Sequence, residues 1–420
     1  MTGAAQERVT YRAVLANREF AAILLSQTLS ILGDQIARIA LAVLVFRETD
    51  SAFASSATYG VAFLSYMLVG PLTSTLADRF RRRTIMVQAD LGRAAIVLLL
   101  AIEGTPLAVV FGLIVALGCL APAFDAARSA TLPELLPGDA YVKGNALYNL
   151  AFQGTQVLGF LAGGALLTSL SVSQVLVLDA GTYLVSAGAI LGAVLLRPAV
   201  AATDVRASIL KDTAEGVSLV WNHPQLRRLL GFALLGVAVV AAPEALAIPV
   251  ASELGGGSFA GGVLTATIPA GFVIGSIAVL RVEPERRQRL LGTLTLLSAA
   301  PLLLTPLLES VPAVTAVWTL AGTGAALQVI ASAAYVTATP AHARARAYGL
   351  ASTALMAAQG AAQLLGGLLA SGVGEPRGAR WAVALLSAAV LVLVFPLLRS
   401  GTARASRHKI ASQGIGQTFR

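Results

Sequence analysis

"LADRFRRRT", residues 76–84, places four arginines and one aspartate in nine residues, between two long apolar stretches. Only 12% of the 420 residues are charged, whereas 56% are hydrophobic, and the mean hydropathy is +0.78. A soluble domain of this size needs far more polar surface, so most of the chain must face lipid. Apolar segments recur at about 19–46, 52–77, 84–103, 106–130, 142–169, 173–196, 228–252, 259–280, 289–308, 311–336, 346–372 and 378–398. Each is near the ~20 residues with which a helix crosses a bilayer. The opening stretch is therefore a short connector between two of twelve expected transmembrane helices, and its charge speaks first of topology.

Numbering the connectors alternately from an inside N-terminus puts 25 of the 30 Lys and Arg on the inside set. Only Arg47, Arg377 and Arg380 fall outside, and Arg38 and Arg93 fall within helices. Cytoplasmic loops retain basic residues in this way, so the expectation is a multi-pass protein of the plasma (inner) membrane with both termini cytoplasmic. The first apolar run is too long for a signal-peptide core and contains Asp34 and Arg38, so it is read as the first spanning helix.

Composition also excludes whole classes. The net charge of +9 is carried by loops next to spans rather than by a basic domain, so no nucleic-acid partner is expected. Cys119 stands alone, and His223, His342 and His408 are far apart, which leaves no disulfide framework and no metal site. No GxxxxGK[ST] phosphate loop, GxSxG or HExxH occurs, so neither an ATP motor, an enzyme nor a cofactor is expected.

The chain repeats itself. A shift of 203 residues lays the basic connector 78–83 over 281–286 and "QVLGFLAGG" (156–164) over "QGAAQLLGG" (359–367). Gln156, Gly163 and Gly164 fall on Gln359, Gly366 and Gly367. The expected organisation is a six-helix bundle over 1–196, a linker over 197–227, a second bundle over 228–399 and a basic tail over 400–420. Two such halves with a site between them near the midplane are a transporter plan.

At these residues a family resemblance enters. "GPLTSTLADRFRRRTIMVQADLGRA" (70–94) resembles the loop between helices 2 and 3 of the major facilitator superfamily, and most of all its drug and siderophore exporters. "LSILGDQIARIALAVLVFRETDSA" (29–52) and "LPELLPGDAYVKGNALYNLAFQGTQVLGFLAGGALL" (132–167) are similar to the first helix and the entry to the fifth in the same branch. Asp78, Arg79, Arg82 and Arg83 match the loop motif, while Ser74 and Arg81 stand where it has glycines. The resemblance implies a gate: Asp78 docks on the N-terminus of helix 11, where unpaired N–H groups favour a carboxylate by roughly 0.3–2 kcal/mol. Arg82 is expected to pair with an acid on helix 4, with Asp125 the candidate.

"GFLAGG" (159–164) resembles the GPxxGG signature on helix 5 of drug–proton antiporters, with Phe160 in place of proline. Gly154, Gly159, Gly163 and Gly164 are expected to form one smooth face between the halves. Inside the spans, Asp34 and Arg38 are four residues apart on one helix face. Three readings of the pair are open: a salt bridge within the helix, a proton-coupling carboxylate tuned by the arginine, or a site for a cationic substrate group. Glu244 lies between Pro243 and Pro249 with no arginine at helical spacing, and is either a second proton site or a hydrated group near the external mouth. Asp179 is read as structural, near the outer leaflet. Gln27, Gln153, Gln156, Gln328, Gln359, Tyr148 and Tyr335 are candidates to line a mostly aliphatic cavity, each with helix–helix hydrogen bonding as the plainer role.

The expectation is thus an all-α polytopic membrane protein acting as a monomeric secondary transporter. It would export small amphipathic or apolar molecules with protons as the coupling ion. Flipping or uptake of a lipid-like substrate, and a membrane sensor that does not transport, are the rivals.

Overall fold

A computed structural model describes residues 10–197, 217–340, 343–374 and 377–415, with the side chains at 70–79, 284–285, 345–346 and 399–415 outside the description. Twelve long helices follow one another across the molecule. They are α1 (Arg18–Thr49), α2 (Ala52–Arg79), α3 (Arg82–Leu100), α4 (Leu107–Leu135), α5 (Asp139–Leu166) and α6 (Val172–Ala193) in the first half. The second half holds α7 (Pro224–Glu253), α8 (Ser258–Leu280), α9 (Leu290–Ala299), α10 (Val311–Ala338), α11 (Arg344–Val373) and α12 (Gly378–Ile415). A helix satisfies its own backbone groups, which a bilayer core cannot do, so a chain this apolar has little other choice.

Local chemistry sets where the helices start and stop. Asn17 accepts from Phe20 N at 3.1 Å to open α1, and Ser171 with Gln174 forms a reciprocal capping box on α6. Asp50 closes α1 in the left-handed region (φ 49°) and lets the chain turn into α2 with only Ser51 between. Pro301 and Pro306 tighten the end of α9 into a 3₁₀ stretch, Ala300–Leu307. A turn at Ala325–Ala326 divides α10 into Val311–Gly324 and Leu327–Ala338. Helix α12 continues to Ile415, through most of the segment expected as a tail from residue 400.

Ten of these spans are long and apolar by composition alone among the described residues. The other two are α3, which carries Arg82, Arg83, Asp90 and Arg93, and α5, whose first half is polar. Within the first half α1 packs on α5 and α6, α2 on α4, and α3 on α4 and α6; within the second, α7 packs on α11 and α12, α8 on α10, and α9 on α10 and α12. The two sets correspond under a shift of six helices. The halves meet through α2 against α11 and α5 against α8.

The sequence repeat reappears as paired contacts. A Cβ on Gly163 would lie 3.4 Å from Ile39 Cβ in α1, and one on Gly366 would lie 3.5 Å from Ala242 Cβ in α7. Residues 39 and 242 are themselves 203 apart. Gly164 meets Gly262 of α8, and Gly367 meets Phe53 and Ser56 of α2. These close approaches between halves, with Gly60 against Gly360 and Leu364, lie toward the ends of the helices remote from the termini.

Candidate functional site

One cluster of polar residues in the spans gathers where α1, α3 and α6 pack together. Asp34 of α1 accepts a hydrogen bond from the Tyr183 hydroxyl of α6. The same tyrosine ring carries the Arg93 guanidinium of α3 at 5.3 Å from its centroid. Arg93 Nη1 lies 4.0 Å from Asp90 Oδ1, one helical turn back on α3. Asp90 accepts from Ser186, which also shares a hydrogen bond with Ser26 of α1. Asp179, a turn from Tyr183 on α6, holds Thr182 Oγ1 at 3.3 Å and lies against Gly33. Asp90 is 0%, Asp179 1% and Arg93 5% exposed, so none of the three is an interfacial charge.

Gly33 explains how a carboxylate fits there: any Cβ at that position would collide with the Asp179 carboxylate and the Thr182 hydroxyl. The glycine before Asp34 therefore gives α6 its close approach to α1. Asp179 is buried and lies within electrostatic reach of Asp34.

Asp34 and Arg38 do not form the salt bridge that was one of the open readings. Among the described residues no ion pair within 4.0 Å joins them, and Arg38 lies instead over the Phe63 ring of α2 at 5.1 Å. Both line a cavity of about 90 Å³ whose wall includes Tyr59, Tyr66 and Arg93. That volume accommodates a few water molecules, and the lining is polar enough to hold them. Glu244 of α7 is partly buried and lies within electrostatic reach of Arg38 and Tyr59, so the second half contributes one acid beside this region.

The connector of the opening stretch is described in part. Asp78 and Arg79 lie at side-chain positions outside the description. Arg82 Nη1 meets Glu134 Oε1 of α4 at 2.6 Å and the Ala130 carbonyl at 2.8 Å. The expected partner Asp125 is not the acid it meets. The reason is position: Asp125 lies more than two turns deeper on α4, where the Tyr66 hydroxyl donates to it at 3.1 Å and Arg128 lies 3.7 Å away. Arg83 donates to the Leu191 carbonyl, and Arg197 forks onto Glu19 at 2.7 and 2.8 Å. That pairing raises the pKa of Arg197 above its ordinary value. These arginines tie α3 to α4 and α6, and α1 to the end of α6.

The helix-5 glycines do not make a single face between halves. Gly159 and Gly163 pack on Leu32, Gln35, Ile36 and Ile39 of α1, within their own half. Gly164, about 100° round the helix from Gly163, is the one that meets the other half. A Cβ on Gly154 would have nothing within 4 Å. Two of the polar candidates are plain helix–helix ties, Gln328 to the Ala233 carbonyl at 2.7 Å and Tyr335 to the Ala347 carbonyl at 3.1 Å. Tyr148 carries Arg128 over its ring at 3.9 Å.

Asp90 was not singled out from sequence, and Arg93 was only counted as lying within a helix. Their signal was an i, i+3 acid–base pair inside a span, the same kind that drew attention to Asp34 and Arg38. Tyr183, Ser186 and Ser26 left no such mark, because hydroxyl residues are common in apolar helices.

The sequence model of the Major Facilitator Superfamily matches residues 23–338. The MFS-type transporter YvqJ of Bacillus subtilis is 26% identical over 278 residues, 64% of this chain and 66% of the relative. YfiS of the same organism, also an MFS-type transporter, is 28% identical over 166 residues, 39% of this chain and 40% of the relative. The matched stretches thus span less than two thirds of these curated relatives. Among solved structures, a bacterial homologue of the human lysosomal transporter Spinster, inward-facing and unoccupied, gives a TM-score of 0.73 at 15% identity, covering 91% of this chain and 97% of that one. A point mutant of the nucleoside transporter NupG gives 0.75 at 12% identity, covering 91% and 99%. At these identities the likeness is one of fold.

Proposed function

The chain belongs to the major facilitator superfamily, and we propose that it is a membrane transporter that exports small amphipathic or apolar compounds, antibiotics and other secondary metabolites among them, in exchange for protons. One observation carries this reading: Asp34 and Arg38 stand on the wall of a largely apolar cavity in the first half, with Glu244 of the second half close by. An ionisable group in a span is costly, by ~2.5 kcal/mol or more at a helix centre, and is retained where it moves charge or binds a ligand. A carboxylate that takes up a proton from one side and gives it up to the other, while the halves rock about α2–α11 and α5–α8, couples the two movements.

The positive-inside distribution supports a cytoplasmic placement of both termini. The close glycine contacts between halves then lie on the external side, which supports an inward-facing form. Asp78 and Arg79 serve as the gate of the opposite state, and the Arg82–Glu134 pair holds the frame on which that gate acts. The aliphatic surround of the polar residues favours an amphipathic ligand over a sugar or an amino acid. The exporter-like loop favours the outward direction.

The test uses energised inverted membrane vesicles with a pH-sensitive dye, to which antibiotics and lipophilic cations are added one at a time. A compound that collapses the proton gradient with wild type, but not with Asp34→Asn or Glu244→Gln, is the expected result. If no compound does so while the protein still lowers accumulation in intact cells, proton coupling is wrong.

A further inference from the structure

The spans of the first half bring together more carboxylates than cations. Asp125 has Arg128 at 3.7 Å. Arg38 lies over Phe63 and within electrostatic reach of Glu244 from the other half, so the two charges offset each other. That leaves Asp34, Asp90 and Asp179 around one guanidinium, Arg93, whose neighbours on α6 and α1 are otherwise neutral. If all three acids were ionised, the interior would hold two uncompensated negative charges. Burying even one costs several kcal/mol, and the usual escape is to bind a proton.

The unmet hydrogen bonds point the same way. Asp90 Oδ1, Asp179 Oδ2 and Arg93 Nε are buried without a hydrogen-bond partner. Three orphaned atoms in one knot of side chains, one of them on an arginine that lines the cavity, are not what a finished structural network looks like. The described residues also offer no set of three His, Cys, Asp or Glu fit to hold a metal ion, which makes a proton the plainer guest.

We propose that Asp34, Asp90 and Asp179 form one shared proton site around Arg93, filled from the cavity at Asp34, with Asp90 and Asp179 as its inner members. It rests on the transporter reading above and names the groups that hold the coupling protons. The step is a plain proton transfer. A hydrated proton in the cavity gives its proton to an Asp34 carboxylate oxygen, leaving water and a carboxylic acid, and no other bond changes. Protonated Asp34 no longer attracts Arg93, which then turns its charge wholly to Asp90 and Asp179. Because the three acids interact through a single cation, the titration belongs to the group as a whole.

The groups facing the cluster set its balance. From α2 come the hydroxyls of Tyr59 and Tyr66, from α4 the Asp125–Arg128 pair, and from α7 Glu244. Only Arg38 adds a further positive charge from α1, and it lies over Phe63.

Infrared spectroscopy of the full chain, purified and returned to lipid, reads this directly. The carbonyl stretch of an un-ionised carboxylic acid is expected to persist at pH 7 in wild type. It should lose intensity in Asp179→Asn and in Asp90→Asn, keep it in Glu244→Gln, and show a displaced titration midpoint in Asp34→Asn. Ser186→Ala removes a donor to ionised Asp90 and should move the midpoint to higher pH without disturbing packing, which covers the case of an Asp90 variant that fails to fold. Absence of the band at neutral pH in wild type, or an unchanged band in both Asp179→Asn and Asp90→Asn, overturns the proposal. A vesicle assay in which no compound moves protons counts against export and leaves the band in place. Active transport without the band counts against the cluster alone.

Discussion

The two halves share a helix arrangement and differ in what they bury. A shift of 203 residues carries Asp34, Arg38, Asp90, Arg93, Asp179 and Tyr183 onto Val237, Ala241, Thr293, Leu296, Ala382 and Leu386. The counterpart packing of α7, α9 and α12 is therefore built from apolar residues and a threonine. Gly33 and Gly236, by contrast, correspond. Gly236 lets Leu327 of α10 approach, a Cβ there being 2.9 Å from Leu327 Cδ1. Glycine spacing is thus kept in both halves, while the acid–base cluster around Arg93 has no counterpart. The charges within the second half's helices, Glu244 and the Glu253–Arg380 pair at 3.0 Å, stand at other positions. Close packing alone does not call for the charges of the first half, since the second half packs without them.

The sharpest way to break that asymmetry is to remove the charge that faces the cavity. Asp34→Asn keeps the size of the side chain and its contact with Tyr183 but cannot take up a proton. Loss of proton-driven flux, by about 100-fold or more, is expected in the vesicle assay, with the protein still inserted and monodisperse. Asp34→Val, which copies the second half, should lose flux equally and still fold. If either variant transports at the wild-type rate, the charged half has no role in coupling.

The contact between halves comes next. Gly164 and Gly262 approach so closely that a Cβ on Gly164 would be 2.8 Å from Gly262 Cα, backbone against backbone. Gly164→Leu is expected to wedge the halves apart at a cost of ~1–3 kcal/mol. Flux should fall about tenfold or more, and a cysteine placed beside the contact should become reactive to a water-soluble maleimide. An inaccessible cysteine together with normal flux would show that the interface tolerates the wedge.

How much of this was legible in the sequence follows from what each feature depends on. The helices, their number and their pairing into halves were legible because hydropathy and lysine–arginine bias are local quantities, summed over windows of twenty residues. Asp34, Arg38 and Glu244 stood out for the same reason, since a charge in an apolar window is rare. The partners of these residues were not legible. Asp125 and Glu134 are both acids on α4, and only the depth of each along the helix decides which one Arg82 reaches. Gly163 and Gly164 are adjacent in sequence and face different helices, a distinction that depends on where α1 and α8 lie. The assembly of Asp90, Asp179 and Tyr183 with Asp34 is a tertiary fact from three helices, and no sequence spacing encodes it.

The loop pair sharpens the comparison at a smaller scale. Arg82 and Glu134 are 19% and 42% exposed, so solvent weakens their attraction. A double-mutant cycle of Arg82→Ala and Glu134→Ala, followed by thermal unfolding in detergent, should give a coupling of roughly 0.2–1 kcal/mol. The same cycle with Asp125 in place of Glu134 should give none beyond error. Coupling to Asp125 and not to Glu134 would restore the sequence-based expectation.

One buried polar contact of the second half is neutral. Trp318 is 0% exposed and donates Nε1–H to Thr305 Oγ1 at 3.1 Å, joining α10 to the 3₁₀ end of α9. Thr305→Val removes the acceptor and leaves the indole N–H unsatisfied, at about 1–3 kcal/mol of stability. Flux per folded molecule should be unchanged, because no charge is lost. A change in proton dependence in this variant would mean that coupling in the second half extends beyond Glu244.

The smallest effect is expected at Gly154, and it separates packing glycines from the rest of α5. A Cβ there meets nothing within 4 Å, whereas one on Gly159, five residues on, would lie 2.7 Å from Gln35 Cβ of α1. Alanine is the better helix former by roughly 0.8–1 kcal/mol in an exposed interior position. Gly154→Ala should therefore leave flux alone and raise the unfolding temperature slightly, while Gly159→Ala should lower both. Should Gly154→Ala abolish transport instead, the open space around it must close during the cycle, as the termini-side ends of α5 and α8 approach one another. The position would then mark a face that the present conformation leaves unpacked.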